Sequence, residues 1–199
     1  MPAPHWLRVQ LAGPRGILAR PMARLLNRFN RADYLRALEA LDADVGERVL
    51  ELGFGGGVGV EALLERGVHV LAAEPSVELR ARAHRRLGRA LAEGRLEVFP
   101  WCAEDLPEVM VDRALSMNTV YFWRDLELGL ANLRRVVKKR LVLGIAPAEH
   151  LREAGFADEG YRVEELDCYL ERLTNAGFDA SLVSPTHRAS AALLVCEPA

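Results

Sequence analysis

The run Val49-Leu50-Glu51-Leu52-Gly53-Phe54-Gly55-Gly56-Gly57-Val58-Gly59 constrains this chain more than any other stretch. An apolar segment ends in an acid, and glycine then recurs at every second position: Gly53, Gly55, Gly57. Val60, Leu63 and Leu64 follow at helical spacing. That order predicts a strand, a tight turn and a helix. Glycine suits a backbone with positive φ, or one against which a ligand lies with no room for a Cβ. The turn also aims the free N–H groups of a helix N-terminus at whatever binds there.

Spacing separates the ligands such a turn can hold. A phosphate loop needs Gly-x-x-x-x-Gly-Lys-Ser/Thr, and no lysine is present. A dinucleotide fingerprint needs Gly-x-Gly-x-x-Gly. Its third glycine would fall at Val58 or Val60, which argues against a nicotinamide-dependent oxidoreductase. What remains is Glu-x-Gly-x-Gly-x-Gly, with Glu51 two residues ahead of the first glycine. A plain strand-to-helix turn with extra glycine is the alternative. Downstream, the apolar run Val68–Ala73 ends in Glu74, followed by Pro75 and Ser76. Ligands of doubly wound sheets bind beyond the carboxyl ends of the strands. A carboxylate at such a tip can accept both hydroxyls of a ribose.

These two acids and the glycine turn between them resemble motif I and the following acid of class I S-adenosylmethionine-dependent methyltransferases. The resemblance implies S-adenosyl-L-methionine as the cofactor, held by Glu51, Gly53, Gly55, Gly57 and Glu74. Glu51 would attract the methionine ammonium, directly or through water, and Glu74 would take the ribose. After a third strand at 96–101, Cys102-Ala103-Glu104-Asp105-Leu106-Pro107 resembles the family's adenine loop, commonly Gly-Asp-Ala-Glu-x-Leu-Pro. Trp101 and Cys102 replace the Gly-Asp pair. The Ala103 N–H would then reach a ring nitrogen, and Glu104, Asp105 or a backbone carbonyl would replace the missing aspartate. Trp101 either stacks on adenine or packs at the strand end.

A fourth strand at 112–117 leads into Asn118-Thr119-Val120-Tyr121-Phe122-Trp123. This stretch resembles a subgroup near the ubiquinone/menaquinone-biosynthesis type (methyltransferase type 11). In that resemblance Asn118 and Tyr121 face the transferable methyl as acceptor-side, catalytic candidates. His150, in the loop after a fifth strand at 141–145, is a third candidate, with an ordinary surface histidine as the alternative. The family usually has Gly-Gly in the turn before that strand, where this chain has Lys138-Lys139-Arg140. Methyl transfer from a sulfonium demands in-line placement and exclusion of water, and no nucleophile from the protein.

Alternating strands and helices from residue 45 onward predict a parallel α/β sheet with helices on both faces. The resemblance covers about residues 45–197. It implies a doubly wound, Rossmann-like sheet of seven strands, mostly parallel with an antiparallel last strand. Helices are expected at 31–41, 58–66, from the Ser76 cap to Gly94, at 125–137 and within 161–176. In the third of these Leu79, Ala83, Leu87 and Leu91 form the buried stripe, and Arg80, Arg82, Arg85, Arg86 and Arg89 a solvated face. The last two strands, 178–183 and 189–196, are expected to meet at a Ser184–His187 turn. Residues 1–44 form a separate basic, apolar arm and helix, with seven arginines, one aspartate and no lysine or glutamate before residue 37. We read the arm as a lid over the site; a packed segment with solvated arginines, an anionic-substrate contact and a membrane-surface helix are the alternatives.

At 199 residues the chain fits one domain with a sizeable core. A net charge of −2 fits a small-molecule or lipid-like acceptor better than a nucleic acid. A donor-binding or partner subunit without activity is an alternative favoured by the altered adenine loop. So is an RNA or protein methyltransferase recruited through the basic arm. Cys102, Cys168 and Cys196 are odd in number and far apart, which suggests no disulfide framework and no metal site, but reduced thiols in a cytoplasmic protein. No signal peptide and no transmembrane run is expected. The oligomeric state stays open.

Overall fold

In a computed structural model describing residues 31–157, 161–183 and 191–199, the glycine turn leaves the centre of a seven-stranded sheet. The strands are β1 (Arg48–Leu52), β2 (His69–Ala73), β3 (Leu96–Phe99), β4 (Val111–Met117), β5 (Val137–Ile145), β6 (Phe178–Val183) and β7 (Ala192–Pro198). Their order is β3-β2-β1-β4-β5-β7-β6. β1 pairs in parallel with β2 and β4, as β2 does with β3 and β4 with β5, while β7 runs antiparallel to β5 and β6. Chain order therefore reverses between β1 and β4, which opens a crevice at their carboxyl ends. This is the expected fold.

Helices cover both faces. On one lie α1 (31–41), α2 (Val58–Glu65), α3 (Val77–Arg86) and α4 (Gly88–Ala92), whose Leu38, Leu63, Ala83 and Ala90 share an apolar cluster with Val49 and Val70. On the other lie α5 (Leu126–Val136), α6 (Ala148–Glu153) and α7 (Leu166–Asn175), whose Leu130, Leu151 and Leu173 pack with Leu50 and Leu71. β1 is thus buried on both sides, which is why it reads as a continuous apolar run. Glu51 is the one acid in it.

Several boundaries differ from the sequence reading. The helix expected between Ser76 and Gly94 breaks at Leu87, whose φ of −113° and ψ of 21° are not helical. Gly88 follows, and Ala90 takes the buried place expected of Leu87 and Leu91. β5 begins at Val137, directly after α5, so Lys138-Lys139-Arg140 lies within the strand and forms no turn. α7 starts at Leu166, later than the expected helix, and β3 stops at Phe99. His150 stands in α6, not in a loop.

Residues 1–30 of the expected arm, and the Ser184–His187 turn, lie outside the described residues. α1 is packed on the sheet through Tyr34, Ala37, Leu38 and Leu41. It is also tied to the start of β7: Asp33 Oδ1 accepts from Ala191 N at 3.0 Å, and Arg36 Nη1 donates to Ala191 O at 3.0 Å. At the opposite end of the strands, buried Glu47 accepts from Arg113 Nε at 2.7 Å, Lys139 Nζ at 2.5 Å and Asp44 N at 3.0 Å. Burial alone would raise its carboxyl, but these hydrogen bonds outweigh burial and hold it below the usual range.

Candidate donor and acceptor site

The glycines of the turn take the backbone geometry expected of them. Gly53, Gly55 and Gly57 have φ of 73°, 52° and 83°. These are left-handed values that side chains resist. Gly53 carries a second constraint: a Cβ there would meet Thr119 Cγ2 at 2.4 Å. Ser116 completes the join, donating to Leu52 O at 2.8 Å and lying 2.5 Å from Thr119 Oγ1. The tip of β4 is therefore pressed against the glycine turn. Gly57 caps α2 without a side-chain hydrogen bond.

Glu51 lies inside this turn, 1% exposed. Neither of its carboxylate oxygens has a hydrogen-bond partner among the described residues. Burial pushes its carboxyl up to about 8; the Tyr34 phenol beside it opposes the rise and the charge of Glu74 adds to it. The Tyr34 hydroxyl is itself pushed up by burial and then by Glu51. Gly59 makes room for both. A Cβ at Gly59 would meet Glu51 Oε1 at 2.4 Å and Tyr34 Cε1 at 2.5 Å. A buried, unpaired carboxylate is costly unless a cation joins it. Its fit to an ammonium group is the clearest match between this site and S-adenosylmethionine.

Glu74 sits at the tip of β2, 7% exposed. Its Oε2 accepts from Gly55 N at 3.0 Å and its Oε1 from Ser76 N at 2.9 Å. Burial raises this carboxyl, and the two backbone donors and Arg80 counter it in part. Arg80 Nη1 donates to Glu74 O at 2.7 Å and Pro75 O at 2.8 Å. From the same helix, Arg86 Nη1 donates to Gly56 O at 3.0 Å and its Nη2 pairs with Glu61. Two arginines expected on a solvated face thus hold the loops of the site. Nothing in the helical periodicity marks them.

Ala103 is buried and opens a 3₁₀ turn over residues 103–105, whose first N–H groups have no partner within the turn itself. Asn132 on α5 fixes that turn, donating to Ala103 O at 3.1 Å and Glu104 O at 2.9 Å. Glu104 points elsewhere than the sequence reading had it. Its Oε1 accepts from Arg124 N at 2.5 Å and Asp125 N at 3.3 Å, serving the start of α5. Asp105 is paired with Arg124 at 3.5 Å on the surface. Trp101 stacks on Phe99, with centroids 3.7 Å apart and planes at 5°. The Cys102 thiol is pushed up by burial and then by the charges of Glu104 and Asp105.

On the acceptor side the structure joins two of the three candidates. Asn118 ends β4 with φ of 56°, a left-handed value that asparagine tolerates better than most residues. Tyr121 OH donates to Asn118 Oδ1 at 3.0 Å and accepts from Ala146 N at 2.5 Å. Tyr121 is 5% exposed, and burial drives its hydroxyl far above the ordinary phenol range. His150 is exposed on α6, and no described contact draws its side chain to this pair. Among the described residues no group of three or more His, Cys, Asp or Glu could hold a metal, and no helix is long and apolar enough to cross a membrane.

Comparison with known proteins agrees with this geometry. Residues 50–143, just under half of the chain, match the family described as "Methyltransferase domain". The chain is 32% identical over 98 residues to an uncharacterized methyltransferase, YdaC, of Bacillus subtilis. That match covers 47% of this chain and spans about half of the relative, 51% of its length. Among solved structures, a SAM-dependent methyltransferase from Aquifex aeolicus superposes with a TM-score of 0.73 at 19% identity, covering 89% of this chain and 97% of the other. Magnesium protoporphyrin IX methyltransferase from Synechocystis with bound SAM superposes with a TM-score of 0.66 at 16% identity, covering 98% and 89%. At these identities the structural likenesses bear on the fold. The family match over residues 50–143 and the glycine turn between two buried acids make this part of the chain similar to S-adenosylmethionine-dependent methyltransferases.

Proposed function

We propose that this chain binds S-adenosylmethionine at the carboxyl ends of β1 and β2 and methylates a small-molecule or lipid-like acceptor at the tip of β4. The observation that carries the reading is Glu51: buried, without a hydrogen-bond partner among the described residues, and beside a turn of left-handed glycines. In this reading Glu51 takes the methionine ammonium, Glu74 the ribose hydroxyls, and the Ala103 N–H a ring nitrogen of adenine. The engagement of Glu104 with α5 removes the support for its part in holding adenine, and the exposure of His150 does the same for its role as a base. When bound, the donor supplies a methyl group activated by its sulfonium: the acceptor's lone pair forms the new bond while the carbon–sulfur pair returns to sulfur. The protein places the acceptor in line and excludes water.

The test is calorimetric titration with S-adenosylhomocysteine, repeated on Glu74→Ala. Micromolar binding, weakened at least about tenfold in the variant, is expected for loss of a charge-assisted pair of hydrogen bonds. No binding to the unaltered protein would sink the proposal.

A further inference from the structure

We infer that the acceptor carries a carboxylate, which the open edge of the Arg162 guanidinium and the hydroxyl of Tyr169 hold. This rests on the function proposed above and specifies the chemistry of its acceptor.

The segment that leads into α7 brings both groups to the acceptor side. Arg162 N donates to Tyr121 O at 3.3 Å, and the Tyr161 ring meets Phe122 edge-on at 5.2 Å. Tyr169, in the first turn of α7, packs in the same apolar cluster as Tyr121 and Phe156. It is near enough to Tyr121 to raise that hydroxyl, and Arg162 is near enough to Tyr169 to lower its own.

Both side chains end in donors that lack an acceptor. Tyr169 is 2% exposed, and its hydroxyl has no hydrogen-bond partner among the described residues. Burial and then Glu164 push that hydroxyl up to about 12, so at neutral pH it keeps its proton and has it to give. Arg162 Nη1 donates to Glu164 Oε1 at 2.9 Å, while its Nε is enclosed and without a partner among the described residues. The edge formed by Nε and Nη2 is left open. That edge is a fork that matches the two oxygens of a carboxylate. Glu164 does not fill it, because its oxygens also accept from Arg172 Nε at 3.0 Å and Nη2 at 3.1 Å.

The local charge has the sign that a carboxylate needs. Arg162 and Arg172 share one acid, Glu164, and the second partner of Arg172, Glu127, is mostly solvated. One positive charge remains in this half-buried group. A carboxylate supplies one negative charge and acceptor oxygens for the guanidinium edge and the phenol together. An amide in its place would lose the charge and turn a second set of protons toward donors. Arg162 and Glu164 keep part of their side chains exposed, so the group opens to solvent while the two donor atoms stay enclosed. The half-exposed rings of Phe122 and Tyr161 alongside suit an aromatic body for the acid.

The experiment uses the full chain loaded with S-adenosylhomocysteine, titrated with 2-naphthoate, 2-naphthamide and acetate. The expected result is naphthoate binding at least about tenfold tighter than naphthamide, with acetate far weaker than either. Arg162→Met should abolish the preference for naphthoate. Tyr169→Phe should cut it several-fold and also raise the melting temperature of the unliganded chain, because it removes a buried hydroxyl that has no partner. A hydroxyl with a purely structural role would give the reverse: a lower melting temperature and an unchanged ratio of the two naphthalenes. That result, equal binding of naphthoate and naphthamide, absence of naphthoate binding, or a preference untouched by Arg162→Met would overturn the inference. So would acetate binding as tightly as naphthoate, which would mark a site for a free anion. Failure of the loading step would instead count against the proposed donor site.

Discussion

The donor site should carry a pH dependence that originates in one carboxyl. Glu51 is raised to about 8 by burial, with Tyr34 and Glu74 as the ionisable groups beside it. A ligand ammonium can pair only with the ionised form, so binding must first remove a proton from most molecules at neutral pH. With the carboxyl at about 8, roughly 99% is protonated at pH 6.0 and roughly 76% at pH 7.5. If the complex keeps Glu51 ionised throughout, affinity for S-adenosylhomocysteine rises about twentyfold over that interval, or about 2 kcal/mol. Nearly one proton is released per ligand bound at the acid end. Calorimetry in two buffers of different ionisation enthalpy measures both quantities. Glu51→Gln should bind weakly and with no such rise. An affinity that stays flat in the unaltered protein, or a slope that survives in Glu51→Gln, would refute the assignment.

The sign for the unliganded protein runs the other way. An acid raised on folding binds a proton that the unfolded chain has already lost. Stability therefore falls as pH climbs from the ordinary carboxyl value of 4.5 to about 8, by at most roughly 5 kcal/mol from this group. Glu51→Gln should remove that loss and raise the melting temperature near pH 7.5, while weakening the donor. Stability would then have been given up at a site that is completed by its ligand.

Three further outcomes follow from the packing. Gly59→Ala should weaken S-adenosylhomocysteine and destabilise the fold by about 1–3 kcal/mol, since its Cβ would meet Glu51 and Tyr34 at 2.4 and 2.5 Å; urea melts and calorimetry check both. Arg113→Met should cost about 3 kcal/mol in urea unfolding, because Glu47 stays buried with a partner removed and Leu41 O loses its donor at 2.7 Å. Gly129→Ala should lower the melting temperature, because its Cβ would press on Trp123 at 2.8 Å and on Ala103 Cβ at 3.0 Å, and an unchanged melt would show that the 103–105 turn yields freely.

What the sequence revealed of this site was local, and what it concealed was tertiary. The alternating glycines are legible because positive φ is a property of a residue and its own backbone, and Gly53, Gly55 and Gly57 all adopt it. Glu51 and Glu74 are legible because an acid at the end of a buried strand stands out from its neighbours. Gly59 belongs to the same motif stretch but serves a different purpose. Its φ is ordinary, and its lack of a Cβ matters only because Glu51 and a residue from α1 converge on it. Tyr34 lies on the buried face of α1, a place that an apolar helical stripe explains by itself. Arg80 and Arg86 read as solvated because helical periodicity says which face a residue shares, not which loop a long side chain reaches. Glu104 misled for a related reason. The loop pattern offered its carboxylate to adenine, but the free N–H groups at the start of α5 are a nearer claim on it. The chemistry of Asn118 depends on a third element again, since only the Ala146 N–H at the tip of β5 decides which way the Tyr121 proton points. Tyr34 and Arg86 act through contacts between elements that are separate in the chain. Substitutions at Tyr34 and Arg86 should therefore alter affinity while leaving every sequence motif intact.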